Sequence, residues 1–516
     1  MSVAKAFAAV PRALPRGRRA RGAPDARRSA ASLAKAFARV PRAAWVCALV
    51  ACLNALCWSF LTPPFEVPDE PFHFAYTQQL AENHRLPTSN AYAFSPEEEV
   101  VERDIHLYEV HQSPENRTIS SAAEERSLEE ALAQHPSRRG NGAVGGAYYS
   151  PPLYYLLQTI PYGLASGGTL LDQLQLMRML NALMGGLTAL FVFLFLREAL
   201  PRARWAWTVG GLGVALAPML GFMSGAMSPD AMLAAVSAAI FYLLARAFRR
   251  GLTLRLAILI GVAIVVGFLT KLTFIGLAPG IVLGLVVLAV RSARTHGRSA
   301  YRNLGVALAI AVSPVCIYAL VNVASGHGGL GIVSRSLKFE HAQGSIFDKA
   351  SYIWQLYLPR LPTMRNYFPG LFTTRQLWFD RLVGFYGWLD TSFPRWVDKL
   401  ALVPTGILVA LGIRALLGDR AALRRRLAEI VVYGAMCLGL LALIGLSSYY
   451  SSPSEGLGYA EPRYFLPLLA LFGLGLALAA RGAGQRWGPA VGAVIVVLLL
   501  AQNIFSQLLV VGRYYG

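Results

Sequence analysis

Long apolar runs recur along the chain and limit its possible folds more than any other sequence feature. Backbone N–H and C=O groups must be paired inside lipid, so only helices and closed barrels cross a bilayer. The runs lack the alternation of barrel strands, and the 516 residues are 55% hydrophobic but only 15% charged. The sequence therefore predicts an all-α polytopic membrane protein with about 11 transmembrane helices. The expected spans lie near residues 44–62, 176–196, 205–221, 229–246, 255–270, 272–290, 303–324, 400–417, 428–447, 464–480 and 488–511.

Every second connection between these spans is basic. Short cytoplasmic loops of membrane proteins are enriched in Lys and Arg. We therefore predict a multi-pass protein of the cell inner (plasma) membrane, with its N-terminus in the cytoplasm and its C-terminus extracytoplasmic. The same distribution explains the formal net charge of +20 without a nucleic-acid partner. The connections at 197–204, 246–255, 291–302, 414–426 and 481–486 hold 3, 4, 4, 5 and 2 Lys or Arg.

The segment Pro151–Ala165 is apolar enough to pass for a further span. Counting it as a span would invert every later loop and place the basic connections outside. Three prolines, Pro151, Pro152 and Pro161, also indicate a broken helix. We predict a juxtamembrane or re-entrant piece rather than a span.

Residues 1–43 form a basic tail that precedes the predicted transmembrane domain at 44–511. The tail carries 11 Lys or Arg against one Asp, and it repeats AKAFAAVPRA as AKAFARVPRA. We predict a disordered cytoplasmic tail that touches anionic lipid. A mispredicted start codon is the alternative.

Two long loops face outward in this topology and are expected to carry juxtamembrane helices. The first covers 63–175, and its 63–150 portion holds 15 Asp or Glu against 6 Lys or Arg. The second covers 326–398 and combines 8 Lys or Arg with many aromatic residues. Aromatic residues at this density suit the headgroup layer. With interspersed Arg, they also suit a site for a sugar and an anionic lipid head.

Three carboxylates and an imidazole follow the first apolar run within eight residues: Glu66, Asp69, Glu70 and His73. Pro68 suits the first position of a helix, which would place Asp69 and Glu70 in its first turn. Asp69 and His73 would then share one helix face. Titratable groups at the rim of a span indicate a functional site. The plain alternative is that the two acids only cap an interfacial helix.

An acidic loop beside a basic aromatic loop favours transfer from a phosphate-linked lipid donor. A carboxylate must take a proton from the incoming hydroxyl, and the cluster of Glu66, Asp69, Glu70 and His73 can supply this base. Cations must stabilise the departing phosphate, and the candidates are Lys271 and Arg463 at outward span ends. Anchoring at the interface is the plain alternative for both cations. Asp230 opens a span on the same side, where it serves the site or only caps its helix.

Metal binding is weakly indicated. Asp69, Glu70 and His73 can supply ligands for a divalent cation, but the sequence offers no complete ligand set. We therefore expect no metal or other cofactor, with a divalent cation at Asp69 and Glu70 left open. The five cysteines all lie inside predicted spans without metal-site spacing, so no disulfide is expected in the loops.

These residues together resemble the GT-C superfamily of integral membrane glycosyltransferases. The chain is similar in particular to a bacterial membrane-protein family of unknown function within that group, whose first outer loop opens with a P-D-E-P-x-H type motif. Here the motif is Pro68-Asp69-Glu70-Pro71-Phe72-His73. The other matching pieces are Tyr149-Ser150-Pro151-Pro152-Leu153-Tyr154-Tyr155, Ser228-Pro229-Asp230-Ala231, Lys271 between spans, and Arg463-Tyr464-Phe465-Leu466-Pro467.

The resemblance implies a GT-C fold, a polyprenyl-phosphate sugar donor and an inverting transfer with Asp69 as general base. Glu70 and His73 are expected to support that base. Many relatives carry His before Pro-Pro-Leu where this chain has Ser150, and the basic tail lies outside the pattern. The expected partners are the lipid-linked sugar, membrane lipid, and an extracytoplasmic acceptor that is a cell-envelope glycan, a glycolipid or a protein. The expected substrate-binding residues are Glu66, Tyr149, Tyr154, Asp230, Lys271, Arg463 and Tyr464.

Two other functions stay open at this point. A transporter or flippase for a polyprenyl-linked glycan would place charged or broken-helix sites at mid-membrane, often in two related halves. The chain shows no pair of similar halves, and its polar residues gather at the outer rim. A non-catalytic envelope-assembly subunit would not need the intact acidic motif.

Overall fold

The computed structural model describes residues 40–111, 121–324, 344–368, 373–455 and 460–516. Nearly all of the predicted tail at 1–43 lies outside these residues, as does the start of the second predicted loop. In the described part the chain is almost entirely helical, and the strands β1 (Phe385–Tyr386) and β2 (Thr391–Ser392) pair antiparallel.

The helices form one bundle with a set of short helices at one end. In chain order the α-helices are α1 Arg42–Leu61, α2 Glu70–Asn83, α3 Pro96–Asp104, α4 Leu107–Val110, α5 Ala122–Ala133, α6 Leu153–Leu164, α7 Leu170–Ala199, α8 Arg204–Ala215, α9 Pro218–Ser224, α10 Pro229–Arg250, α11 Leu254–Thr270, α12 Ala278–His296, α13 Ser299–Ala324, α14 Ile346–Tyr357, α15 Arg381–Val383, α16 Arg395–Gly418, α17 Arg420–Arg425, α18 Leu427–Glu455, α19 Leu469–Gly482 and α20 Gly484–Tyr514. The 3₁₀ turns are Gly145–Tyr149, Leu272–Leu277 and Pro462–Leu468, and a π-helical turn covers Arg375–Asp380.

Within the described ranges, nine helices are long and apolar enough to cross a membrane, or ten if the bent pair α8–α9 is one span. That pair bends by 54° because Pro218 lacks an N–H and disfavours helical backbone at the residue before it. Helix α11 is apolar but has only 17 residues. These elements account for every predicted span, and the prediction of an all-α polytopic membrane protein is confirmed.

Helix α7 is longer than its predicted span of 176–196. Thr169 and Asp172 form a capping box, so the helix begins at Leu170 and adds polar turns before the apolar part. These added turns extend α7 to the level of the region between α1 and α2. Arg178, which follows these turns at the start of the predicted span, contacts that region through the carbonyls of Thr62 and Pro63.

The segment predicted to be juxtamembrane is the short helix α6, with Pro161 inside it. Its 12 residues span about 18 Å, which is too short to cross a bilayer. Leu156, Ile160 and Leu164 form an exposed apolar stripe at helical spacing, while Tyr154 and Tyr155 are buried on the other face. This amphipathic pattern agrees with the predicted juxtamembrane position.

All five basic connections meet at one end of the bundle, which we call the arginine end. Arg249 donates to the carbonyl of Glu198 (3.1 Å), Leu252 N–H donates to Ser292 Oγ (2.9 Å), and Arg426 donates to the carbonyl of Ala199. An ion pair of Arg481 with Asp419 (3.5 Å) joins the last two connections. The alternation read from the sequence is therefore present in the fold. Which end faces the cytoplasm stays a prediction.

The opposite end, which we call the loop end, holds the described residues 62–111 and 121–169 and the span termini that lie away from the basic connections. Close helix packing brings these spans together: a Cβ on Gly210 would lie 2.4 Å from the carbonyl oxygen of Gly473. Small residues at such crossings let the backbones of neighbouring helices approach. The charged residues of the predicted site all lie at the loop end.

Candidate functional site

Asp69 lies at the start of α2 in a left-handed backbone conformation, with φ of 68°. The helix begins at Glu70 rather than at Pro68, so the predicted helix start is wrong by two residues. The reason is a turn in which Glu70 N–H donates to the carbonyl of Val67 (3.1 Å). A left-handed non-glycine residue costs about 1 kcal/mol or more and persists only where surrounding contacts fix it.

The Asp69 carboxylate does not cap its own helix. No side-chain capping hydrogen bond forms, although His73 N–H donates to the Asp69 backbone carbonyl (3.1 Å). Oδ2 instead accepts from Arg463 Nη2 at 2.8 Å. The reading of Asp69 as a helix cap alone therefore does not fit its side-chain contacts.

Arg463 is held from two sides at the loop end. Its Nη2 contacts Asp69 and its Nε lies 2.5 Å from Glu461 Oε2. The Arg463 side chain is 7% exposed, whereas 39% of the Asp69 side chain remains exposed. We call Asp69 and Arg463 the open pair, because the arginine is fixed inside the protein while the carboxylate is accessible.

The charge of Arg463 controls the acidity of Asp69. Burial acts to raise the pKa of Asp69, but the Arg463 guanidinium outweighs it, with help from Lys271. The net effect holds the pKa of Asp69 below its ordinary value. Asp69 is therefore ionised at neutral pH, and it is a weaker base than a free aspartate while the pair is intact.

Lys271 points into the bundle rather than toward the interface. It ends α11, and its Nζ lies 2.6 Å from Oδ1 of Asp230 in the first turn of α10. The Nζ is also 5.6 Å from the centre of the Tyr464 ring, and Arg463 Cζ is 5.4 Å from the same ring. The structure thus brings both predicted cations to one aromatic ring, although each has a carboxylate partner that the sequence did not reveal.

His73 lies one turn after Asp69 and is buried. Its Nδ1 is 2.9 Å from the Tyr155 hydroxyl, and the Tyr155 ring stacks on Tyr76 with centroids 3.8 Å apart. Burial lowers the pKa of His73 to about 4, even though Asp69 acts in the opposite direction. The imidazole is therefore neutral at neutral pH and cannot supply a fixed positive charge.

Glu70 follows Asp69 directly but has a closed environment. Its Oε1 accepts from Arg178 Nε (2.8 Å) and Met227 N–H (2.7 Å). Its Oε2 accepts from Arg178 Nη2 (2.5 Å) and Phe65 N–H (3.0 Å). We call Glu70 and Arg178 the closed pair. The side chains are 0% and 2% exposed, so Glu70 anchors the loop rather than facing a substrate, unlike the role expected for it.

Arg178 was missed by the sequence reasoning. Its Nη1 donates to the carbonyls of Ser59 and Thr62, and its Nη2 donates to that of Pro63. A single charged residue inside the apolar span predicted at 176–196 was the signal that could have identified it.

Asn181 was also missed, and it explains where Tyr154 lies. Tyr154 is fully buried and exchanges hydrogen bonds with Asn181 and Gln158. Asn181 Nδ2 donates in turn to the carbonyls of Ala226 and Ser228, just before Asp230. Tyr154 therefore supports the segment that carries Asp230, whereas it was expected to touch substrate.

Two other expected substrate residues lie outside the group around Asp69. Tyr149 is partly exposed, and its hydroxyl accepts from Asn90 at 3.4 Å. Glu66 is buried and accepts from the Tyr514 hydroxyl (3.2 Å), with His111 Nε2 at 4.0 Å. Burial raises the pKa of Glu66 to about 8, so it is largely a neutral acid at pH 7.

In the part of the chain that the structure describes, no group of three or more His, Cys, Asp or Glu residues forms a metal site. Glu70 has both oxygens occupied by protein donors, so the pair Asp69 and Glu70 does not fit a shared cation. The expectation of no metal or other cofactor stays a prediction.

The arrangement can hold an anion next to a base. Asp69 supplies an accessible carboxylate, while Lys271 and Arg463 supply two positive charges beside Tyr464. Asp69 and Arg463 are 394 positions apart in the chain. Their contact therefore depends on the packing of the loop against the span that begins at Pro462.

A family model described as "Predicted membrane protein (DUF2142)" matches residues 40–472. The match covers most of the sequence, so the chain belongs to this family, which confirms the resemblance to a membrane-protein family. No curated protein matches the chain.

Two solved structures are similar to the chain over most of its length. One is the crystal structure of the Archaeoglobus fulgidus oligosaccharyltransferase in the apo form, with 13% identity and a TM-score of 0.42, covering 91% of this chain and 56% of that chain. The other is the same oligosaccharyltransferase tethered with an acceptor peptide containing the NVT sequon via a disulfide bond. It also has 13% identity and a TM-score of 0.42, covering 92% of this chain and 55% of that chain. The chain thus spans little more than half the length of these proteins.

Proposed function

We propose that this member of the DUF2142 family is a GT-C-type membrane glycosyltransferase. It moves a sugar from a polyprenyl-phosphate donor to an extracytoplasmic acceptor, which is a cell-envelope glycan, a glycolipid or a protein. The observation that carries the proposal is the open pair. An accessible carboxylate lies in contact with one of two cations that converge on a single aromatic ring.

The charges of Asp69, Arg463 and Lys271 suggest a role for each side chain in the transfer. Asp69 takes the proton of the acceptor hydroxyl as its oxygen bonds to the anomeric carbon of the sugar. The bond from that carbon to the phosphate oxygen breaks, and polyprenyl phosphate leaves with the bonding electrons. Arg463 and Lys271 stabilise the negative charge that develops on the leaving phosphate. Attack opposite the leaving group inverts the anomeric centre.

The open pair also accounts for how a carboxylate of low pKa can act as a base. A donor phosphate near Arg463 competes with Asp69 for the guanidinium. Loss of the Asp69–Arg463 contact removes the main influence that lowers the pKa of Asp69. Asp69 then becomes a stronger base when the donor is bound. This order of events ties proton removal to the presence of the donor.

The remaining polar residues position these groups. Asp230 holds the Lys271 ammonium beside Tyr464, and Glu461 contacts the Arg463 guanidinium at Nε. His73 is neutral, so its contact with Tyr155 fixes the first turns of α2 against α6 without adding charge. The loop end faces the extracytoplasmic side in this proposal, since the arginine end satisfies the positive-inside rule.

A deletion strain tests the proposed function. Its lipid-linked sugars and envelope glycans are analysed by mass spectrometry after complementation with the wild type, Asp69→Asn or Asp419→Asn. Asp419 is the matched control, because it also pairs with an arginine and is partly exposed, but it lies at the arginine end. We expect one polyprenyl-phosphate sugar to accumulate in the deletion and Asp69→Asn strains but not with Asp419→Asn.

Two results would refute the proposal. The first is an unchanged set of lipid-linked sugars and envelope glycans in the deletion strain. The second is full complementation by Asp69→Asn. Accumulation of the donor on the cytoplasmic leaflet alone would instead indicate a flippase.

A further inference from the structure

A cavity of about 380 Å³ lies at the loop end, outside the group around Asp69. Aromatic rings of Tyr92, Phe94 and Tyr108 form part of its wall. Tyr92 and Tyr108 are 68% and 63% exposed, respectively, so two large rings face solvent at the cavity. Rings in this arrangement offer flat apolar surfaces with a polar hydroxyl at the edge.

The cavity also holds a buried acid with one unused oxygen. Glu102 is buried, and its Oε2 accepts from the Tyr108 hydroxyl at 2.9 Å. Its Oε1 has no hydrogen-bond partner among the residues that the structure describes. Unpaired buried carboxyl oxygens are costly unless a ligand or water satisfies them. Burial raises the pKa of Glu102 to about 7, so at neutral pH it can donate as well as accept.

The charges around the cavity are mixed in sign. The exposed side chains of Arg103 and His106 line it together with Glu99 and Glu109. Arg103 Nε contacts Asp104 at 2.8 Å. The glutamates disfavour an anionic ligand, and Arg103 opposes a strongly cationic one. A neutral molecule with many hydroxyl groups can use both the donors and the acceptors.

Phe72 joins the cavity wall to the helix that carries the site. Its ring lies 5.1 Å from that of Tyr92 and 5.9 Å from that of Phe94, measured between centroids. The next residue of α2 is His73, which lies one turn after Asp69. Gly145 packs against the other side of this wall with φ of 51°, and a Cβ there would lie 2.7 Å from the Phe72 ring. Phe72 therefore connects the cavity wall to the helix that starts directly after Asp69.

We propose that this cavity binds a neutral, hydroxyl-rich sugar unit of the acceptor, beyond the hydroxyl that reacts. Sugar rings stack their C–H faces on Tyr92 and Tyr108, and their hydroxyls bond to Glu102 and Arg103. The identification of this sugar as part of the acceptor rests on the proposed glycosyltransferase function. Sugar binding itself rests on the cavity alone.

Full-length protein in lipid nanodiscs provides the test. Saturation-transfer NMR and calorimetry measure binding of the neutral trisaccharides maltotriose, mannotriose and galactotriose. Trigalacturonic acid and fully deacetylated chitotriose serve as anionic and cationic comparators. We expect at least one neutral trisaccharide to bind more tightly than both charged probes.

Single substitutions at the cavity test whether the neutral trisaccharide binds there. Tyr92→Ala and Tyr108→Ala should each weaken the binding of the neutral trisaccharide by roughly 3- to 10-fold, as expected for loss of one stacking surface. Tyr301→Ala is the matched control, because Tyr301 is 53% exposed but starts α13 at the arginine end, and its binding should equal that of the wild type. Glu102→Gln keeps the side-chain shape and should weaken binding less than the tyrosine changes.

Three results would overturn the proposal: no binding of any neutral trisaccharide at millimolar concentration, equal binding after Tyr92→Ala, or tighter binding of deacetylated chitotriose. The outcome is separable from that of the proposed function. Loss of trisaccharide binding in Tyr92→Ala beside full complementation by Asp69→Asn would support a sugar site and refute the transferase. Intact trisaccharide binding in Tyr92→Ala together with failed complementation by Asp69→Asn would refute the sugar site and support the transferase.

Discussion

Two consecutive acidic residues, Asp69 and Glu70, each pair with an arginine from a distant span, but the two pairs differ in almost every physical respect. In the closed pair, both oxygens of Glu70 accept hydrogen bonds and neither side chain is exposed beyond 2%. In the open pair, one hydrogen bond from Arg463 Nη2 joins the side chains and the carboxylate is 39% exposed. Sequence proximity therefore does not give the two acids a common role.

The backbone explains how neighbouring residues reach such different surroundings. Asp69 has left-handed φ, and the helix starts at the next residue. The change of direction between them sends Glu70 toward α7 and Asp69 toward the span that begins at Pro462. The closed pair thereby fixes the turn that presents the carboxylate of the open pair. A rigid anchor next to a reactive group is a common requirement of an active site.

The largest expected effect is a loss of stability when one partner of the closed pair is replaced. Arg178→Met removes the guanidinium and leaves Glu70 buried without its counter-ion. Breaking a buried ion pair from one side costs roughly 3–5 kcal/mol. We expect a large loss of folded protein, measured as the thermal unfolding midpoint in detergent by fluorescence-detected size exclusion. The double variant Arg178→Met with Glu70→Leu removes both charges and should recover part of the lost stability.

The control for this prediction is Arg481→Met, which removes an arginine from a partly exposed pair at the arginine end. Exposed pairs contribute about 0–1 kcal/mol, so its midpoint should stay close to that of the wild type. Equal midpoints for Arg178→Met and Arg481→Met would show that the closed pair does not anchor the loop.

The next expected effect is a fall in turnover when either cation of the proposed site is replaced. Lys271→Gln and Arg463→Gln each remove one charge that stabilises the leaving phosphate. Loss of one such group typically lowers kcat by roughly 10²- to 10³-fold. Turnover of reconstituted protein with a labelled polyprenyl-phosphate sugar measures the effect. Arg463→Lys keeps a charge but not the planar guanidinium, so it should recover only part of the activity.

Lys399→Gln is the control for the variants Lys271→Gln and Arg463→Gln. Lys399 lies in α16, whose membrane-spanning window is not buried in the bundle. Its removal should leave turnover unchanged. Wild-type kcat in both Lys271→Gln and Arg463→Gln would remove the two cations from the chemistry.

Glu66 is a third carboxylate near the start of α2. It differs from Asp69 and Glu70 because it is buried without a direct cation partner. Burial raises its pKa to about 8 in the folded state, above the ordinary value near 4.5. The folded protein then holds a proton that the unfolded chain releases. This contribution to stability is complete below about pH 4.5 and is lost as the pH rises toward 8.

Glu66→Gln imitates the protonated side chain at every pH. Its unfolding midpoint should lie close to that of the wild type near pH 5 and exceed it at pH 8, by a free energy of roughly 3–4 kcal/mol. Thermal unfolding of both proteins over pH 5–8.5 measures the difference. A constant difference across this range would contradict a proton on Glu66.

The sequence was a good guide to the spans, because hydrophobicity is a local property that each segment carries by itself. All 11 segments lie on helices, and the basic connections gather at one end, since these patterns depend on lipid and water rather than on neighbours. Helix starts were less predictable. The start of α2 depends on a turn at Val67–Glu70, and Pro68 alone did not reveal it.

The pairing of charges could not be predicted from local patterns. Lys271 and Arg463 were identified as candidate cations from their positions at span ends, but tertiary packing pairs them with Asp230 and Asp69, and Arg463 also contacts Glu461 two residues before it. A residue such as Arg178 has no local signature beyond a charge in an apolar helix. The resemblance to a family was therefore needed to select Asp69, whereas the geometry was needed to separate its surroundings from those of Glu70.

The most direct test of this separation measures stability and turnover together in Asp69→Asn and Glu70→Gln. Asp69→Asn keeps the shape of the side chain and should change the unfolding free energy by at most about 1 kcal/mol. Its turnover should fall by roughly 10²- to 10⁴-fold, as expected for loss of a general base, while donor binding persists. Glu70→Gln should lose stability, and its folded fraction should turn over within about tenfold of the wild type. Near-normal turnover in Asp69→Asn beside an inactive but folded Glu70→Gln would contradict the account and transfer the role of the base to Glu70.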